Sequence, residues 1–328
     1  MGTSRSLEVV EGLELPTYPK PECVYRLLPR DRGPLFYAER TDRNLGWITE
    51  AEQVLLRRST VAVAGCGGMG GVAAELLLRA GIGEIRIADL ELFDPSNIHR
   101  QIAAGVDTVG IAKVFATAKR LRGITDDTTL VVYPQGVVPA TFAHFVEGAD
   151  LVLDEVEAWA IAARIGLHRE ARLQGIDVMN CNSIGAGTRL FLFTPESDTM
   201  ERCLDVTYAE AEEFRLRSLD GTATVQERRR MAEAVVCGLL PEVPEYSPRD
   251  PKESTYRNLY RRLVEEGKAM ILASNPYGAA SFLVTNVLFY LLRHSEVVRE
   301  IVRPVPMPGY LYRDDLRGVF KVVRERWY

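Results

Sequence analysis

The run Val61-Ala-Val-Ala-Gly-Cys-Gly-Gly-Met-Gly70, followed by Ile85-Arg-Ile-Ala-Asp89, constrains this chain most. A short apolar strand leads into G-x-G-x-x-G, with glycine at Gly65, Gly67 and Gly70. A helical pattern continues through Gly71–Ala80, and a second strand ends in an acid about 20 residues on, the spacing of a dinucleotide-binding βαβ unit. Gly65 allows a sharp turn, Gly67 lets backbone approach a phosphate, and Gly70 lets the helix pack close to the strand. The helix start offers unpaired N–H groups and a positive dipole end to an anion. Asp89 can accept hydrogen bonds from ribose hydroxyls. Glycines alone form a weak motif; with strand, helix and terminal acid they point to nucleotide binding rather than a structural turn.

The residues that follow separate NAD from ATP. After Asp89 come Glu91, then Asp94-Pro-Ser-Asn97-Ile-His-Arg100-Gln101, then Val109-Gly-Ile-Ala-Lys113. A dehydrogenase has no use for so many charges behind the ribose acid, whereas a triphosphate calls for cations and a carboxylate for Mg²⁺. Taken singly, Arg100 and Lys113 are surface charges, a strand-end Asp is a cap, and His99 is a spacer. Their order behind the glycine loop is the argument.

This run resembles the ubiquitin-activating enzymes and their bacterial relatives in thiamin and molybdopterin biosynthesis. Their pattern, G-x-G-G-x-G, D-x-D, S-N-L-x-R-Q, G-x-x-K and a later strand-end D, reads here as GCGGMG, DLE, SNIHRQ, GIAK and LVLD154 over roughly residues 40 to 195. The resemblance implies that Asp89 holds the ATP ribose, that Asn97, Arg100 and Lys113 contact the phosphates with support from Gln101, and that Asp154 binds Mg²⁺. Glu91 stands where the family has Asp. The family's D-x-x-D-N reads Asp154-Glu-Val-Glu157-Ala158, so Glu157 can replace the second acid and Ala158 cannot replace the Asn. The two C-x-x-C zinc pairs of many relatives are missing, so no zinc is expected. Glu39-Arg-Thr-Asp-Arg43-Asn44 partly matches the family's N-terminal R-Y-x-R-Q, whose second Arg reaches the neighbouring subunit's ATP. That implies a homodimer with Arg43 acting in trans. Where relatives form a thioester, this chain offers Cys203, among charges, and Cys237, whose apolar setting suggests burial. Cys66 in the glycine loop reads as a small filler, though a helix start would lower its pKa.

The expected fold is α/β, a Rossmann-like doubly wound, mostly parallel sheet with helices on both faces. Residues 1–47 form an arm or small cap, 48–195 the adenylation core, and 196–328 a charged insertion with C-terminal helices. Strand–helix alternation runs from Val61–Ala64 to Thr188–Phe193, preceded by a helix at Thr49–Arg58. Thr194–Lys268, rich in Glu and Arg with a proline group at Leu240–Pro248, either lies over the site or forms solvated helices. Asn275-Pro276 opens a helix whose uncharged Ala279–Leu292 run is too short for a membrane span.

A net charge of −5 over 328 residues argues against general nucleic-acid binding. Five scattered cysteines suit a reducing cytoplasm. No signal peptide is visible, and Met1–Ser6 fits a myristoylation string only by accident of length. The reading is an ATP-dependent adenylyltransferase that joins AMP to a carboxylate on a ubiquitin-like carrier, a peptide or a small metabolite, with no nucleic-acid or membrane partner. Its rivals are an NAD-dependent oxidoreductase on the same fold and a non-catalytic nucleotide-binding scaffold.

Overall fold

The computed structural model describes residues 7–240, 261–262 and 269–324; Met1–Ser6 and residues 241–248 of the proline group lie outside the described residues. Ten strands form one sheet: β1 (Val9–Gly12), β2 (Val24–Leu27), β3 (Thr60–Ala64), β4 (Glu84–Ala88), β5 (Thr129–Tyr133), β6 (Leu151–Asp154), β7 (Val178–Ile184), β8 (Gly187–Phe193), β9 (Tyr310–Asp314) and β10 (Val319–Val323). Their order is β1-β2-β5-β4-β3-β6-β7-β8-β9-β10. The stretch β5-β4-β3-β6-β7 is parallel, and β7 to β10 pair antiparallel. Strand order reverses at β3, which lies between β4 and β6, and open α/β sheets bind ligands at the carboxyl ends beside such a reversal.

The helices are α1 (Pro34–Thr41), α2 (Glu50–Arg58), α3 (Gly68–Ala80), α4 (Lys113–Ile124), α5 (Phe142–Val146), α6 (Ile161–Leu173), α7 (Met200–Leu204), α8 (Tyr208–Leu219), α9 (Val225–Leu239) and α10 (Asn275–Leu291). Two cores sandwich the sheet. One joins Val61, Val63, Ile85 and Ile87 to α3, α4 and α10; the other joins Ala62, Ala64 and Val152 to α5, α6 and α9. The pattern follows from strand alternation, which sends neighbouring residues to opposite faces. Glycine-rich α3 and the small residues of α10 pack closely together. α2 starts where Thr49 and Glu52 form a reciprocal capping box.

One expectation changes. The N-terminal segment is not an irregular arm: β1 and β2 extend the main sheet, with β2 antiparallel to β5. The charged helices α7–α9 pack around α6, on the face opposite α3. Arg217–Glu227 and Arg230–Asp205 pairs offset charges there. Among the described residues no helix is long and apolar enough to cross a membrane.

Candidate functional site

The glycine loop runs from β3 into α3, and its three glycines do different work. Gly65 has φ +102°, and a Cβ there would lie 2.2 Å from the Glu155 carbonyl oxygen. A Cβ on Gly70 would lie 1.9 Å from the Gly65 carbonyl oxygen. Both are needed to build the loop. Gly67 meets nothing within 4 Å, so its face is open. It also caps α3 without a side chain, and no acid occupies that helix's first turn, which leaves the helix end free for an anion.

Asp89 lies against the loop. One carboxylate oxygen accepts the Cys66 N–H and the other the Glu91 N–H, each at 2.8 Å. Each oxygen keeps a lone pair for a ribose hydroxyl. Burial pushes the Asp89 carboxyl above its ordinary range, and the two N–H bonds oppose that. Burial also pushes the Cys66 thiol well up, overriding the helix start that would have lowered it. Cys66 is therefore a packed filler.

The expected cations gather on the segment after β4. Lys113 begins α4, is 6% exposed, and places its Nζ 2.5 Å from Glu91 Oε2. Glu91 and Lys113 are thus brought together as a pair. Asn97 exchanges hydrogen bonds with Asp94, each at 3.2 Å, and so shapes the turn that carries Arg100 while one Nδ2 hydrogen remains. Arg100 Nη1 donates to Ser96 O at 2.9 Å. Gln101 is buried, and its Oε1 has no partner among the described residues. His99 is more than a spacer: its ring nitrogens lie 2.8 Å from Ser96 O and 3.3 Å from Ile271 O, tying this turn to the segment before α10.

Asp154 does not fit the metal role. It is 0% exposed, and its Oδ2 lies 2.9 Å from both Arg164 Nε and His168 Nε2. Burial alone would raise its pKa, but Arg164 and His168 outweigh it and hold the carboxyl low. Arg164 also donates to Val156 O at 2.6 Å, and Asp154 accepts the Val156 N–H at 3.2 Å. The result is a clamp on the β6–α6 loop, which rests on Gly65. Strand alternation explains it: Asp154 points to the α6 face, away from α3. The other expected acid, Glu157, is exposed in this loop. Among the described residues no three His, Cys, Asp or Glu side chains cluster for a metal ion.

Arg43 stands apart. Its side chain is 100% exposed, and its partner among the described residues is Asp42 at 4.0 Å. The cysteines reverse their expected order. Cys203 is buried, with its thiol against Gly238 O, whereas Cys237 is exposed on the outer side of α9. Sequence reading missed Arg164 and His168. Their i, i+4 spacing put them on one helix face, but nothing linked that face to Asp154.

The ThiF family profile matches residues 41–306, and the chain belongs to the ThiF family. It is 37% identical over 102 residues to the adenylyltransferase and sulfurtransferase MOCS3 of Bos taurus, covering 31% of this chain and 22% of that protein. It is 33% identical over 135 residues to the tRNA threonylcarbamoyladenosine dehydratase of Bacillus subtilis (strain 168), covering 41% of this chain and 52% of that protein. The chain thus spans no more than about half the length of either relative. Among solved structures it resembles PaaA, with TM-score 0.59 and 14% identity over 90% of this chain and 85% of PaaA. It also resembles E. coli MccB with MccA-N7isoASN, with TM-score 0.58 and 16% identity over 89% of this chain and 74% of MccB. At such identities the solved structures establish the fold alone.

Proposed function

We propose that this protein is an ATP-dependent adenylyltransferase that converts a carboxylate into an acyl adenylate and releases pyrophosphate. The observation that carries this reading is the open face of Gly67 at an uncapped helix start, with Asp89 holding the adjacent Cys66 N–H and Lys113 paired to Glu91 just beyond Asp89. The glycine cradle and the remaining lone pairs of Asp89 suit a nucleotide. The cations suit more phosphate charge than one dinucleotide needs, and they have no task in hydride transfer. Names among the relatives agree: MOCS3 is called an adenylyltransferase, and MccB has been solved with ATP.

In the reaction, a carboxylate oxygen attacks the α-phosphorus. A C(O)–O–P bond forms, the bond to the β-phosphate bridging oxygen breaks, and its electron pair leaves with pyrophosphate. No proton moves, so positioning and charge neutralisation do the work. The α3 N–H groups hold the phosphates in place. Lys113 exchanges Glu91 for phosphate oxygens, and Arg100 offers a planar fork to others. Asp154 does not suit a metal, and Mg²⁺ carried by a triphosphate needs few protein ligands. The carboxylate belongs to a ubiquitin-like carrier, a peptide or a small metabolite. MccB has been solved in complex with N-formylated MccA. The protein works in the cytoplasm as a homodimer, with Arg43 reaching the partner's nucleotide.

The test is exchange of labelled pyrophosphate into ATP, driven by fractionated pools of peptides and small carboxylates. The reading expects exchange that depends on a carboxylate-bearing fraction. Oxidation of NADH with no exchange from any fraction overturns it.

A further inference from the structure

A second helix begins beside the start of α3. A Cβ on Gly68 would sit 3.1 Å from both Cβ and Cγ of Pro276 and 3.7 Å from Arg100 O. The first turn of α10 therefore abuts the first turn of α3, with the Arg100 turn beside them. The bridge from His99 to Ile271 O closes the same corner. Like α3, α10 has no side-chain cap, from Ser274 or otherwise, and no acid in its first turn. Two positive helix ends thus converge on one place.

Asn275, the first residue of α10, is 8% exposed. Its backbone N–H is used by Leu272 O at 3.1 Å. Its side-chain Nδ2 is buried and has no partner among the described residues. An orphaned buried donor is costly, and such groups mark a strain reservoir, a catalytic task or a missing ligand. A donor at a positive helix end has one natural complement, a negatively charged oxygen. The α3 end serves the phosphates. The α10 end is left for the other anion of the reaction.

We infer that Asn275 and the start of α10 bind the carboxylate of the substrate. Asn275 Nδ2 donates to the carboxylate oxygen that does not attack, and so turns its twin toward the α-phosphorus. After transfer the same donor holds the acyl carbonyl oxygen of the adenylate. Asn275 is thus a binding residue for the acyl group, distinct from those that hold the nucleotide. This rests on the adenylation reading.

Three probes test it by equilibrium binding: ATP·Mg²⁺, AMP, and glycyl-sulfamoyladenosine, a non-reacting acyl-adenylate analogue that carries the acyl carbonyl oxygen. Wild-type binding of ATP·Mg²⁺ examines the adenylation reading itself; failure there removes that reading and this inference with it. Given that binding, Asn275→Ala is expected to weaken the analogue on the order of 10-fold, the loss of one hydrogen bond to a polarised oxygen, and to leave AMP unchanged. Asn275→Ser, which keeps a hydroxyl donor, restores part of the loss. The melting temperature of ligand-free Asn275→Ala does not fall, because the deleted donor was unsatisfied. Unchanged affinity for the analogue overturns the inference. So does a parallel loss for AMP and analogue with a lowered melting temperature, which is the signature of a structural residue.

Discussion

Gly67 and Gly70 lie three residues apart in one loop, and the same substitution should have opposite consequences at the two. In Gly70→Ala the new methyl would stand 1.9 Å from Gly65 O, 2.9 Å from Gly65 C and 3.2 Å from Glu155 Cβ. An ordinary contact begins at 3.4 Å, so the overlap with the oxygen is 3.4 − 1.9 = 1.5 Å. The obstacle is backbone, and it cannot retreat, because Gly65 is itself pressed against Glu155 O. Overpacking of this kind costs about 1–3 kcal/mol or more. At roughly 2–4 °C per kcal/mol for a chain of this size class, the melting temperature should drop by several degrees. In Gly67→Ala the methyl meets nothing, at φ −73°, outside the left-handed region. Stability should stay within about 0.5 kcal/mol or rise slightly. The methyl does occupy the approach to the helix end, and loss of one charge-assisted hydrogen bond there, about 1.5–3 kcal/mol, weakens ATP by roughly 10- to 100-fold. Thermal melts without ligand and calorimetric titration with ATP·Mg²⁺ read the two effects separately. A destabilised Gly67→Ala that still binds ATP normally, or a Gly70→Ala with wild-type melting temperature, would refute this division of labour.

Three other substitutions follow from the same geometry. Asp154→Asn should destabilise the fold by roughly 3–5 kcal/mol, because it leaves Arg164 buried without its counter-charge; a wild-type melting temperature with lost activity would return Asp154 to the chemistry. Glu52, 2% exposed and bound by Arg299, is held at about 2 against an ordinary 4.5. A lowered carboxyl pKa stabilises above pH 4.5 and loses that contribution as pH falls toward 2, about 3 kcal/mol in all. Glu52→Gln should therefore flatten the acid limb of a stability–pH curve, and an unaltered limb would exclude this pair as its source. Finally, Arg43→Ala and Lys113→Ala chains, each inactive alone, should regain activity when mixed, since one site in each mixed dimer combines both intact residues. A monomer in solution, or no recovery, disposes of Arg43 in trans.

The nucleotide half of the fold was legible because its signals are local. Apolar runs, punctuating glycines and the Thr49 cap each act within a few residues, and the elements from α2 to β8 stand within a few residues of their expected places. β1 and β2 were not legible. Each is four residues long, and β2 is a strand because β5 offers it a ladder about 100 positions away in sequence. Cys203 and Cys237 were misjudged from their sequence neighbours, whereas burial depends on which helix face meets the core. For Asp154, spacing identified a strand-end acid but not its direction. The partners that claim it, Arg164 and His168, come from the next helix. The convergence of α10 on α3, with Pro276 against Gly68, is a tertiary fact that no local signal carries.

The loop from Gly65 to Gly70 is expected to hold a triphosphate rather than a dinucleotide. Direct titration of the intact protein with ATP·Mg²⁺ and with NADH, each followed by calorimetry, addresses it. Saturable binding of ATP·Mg²⁺ that Gly67→Ala weakens is expected, with no binding of NADH. Binding of NADH with no response to ATP·Mg²⁺ would contradict it.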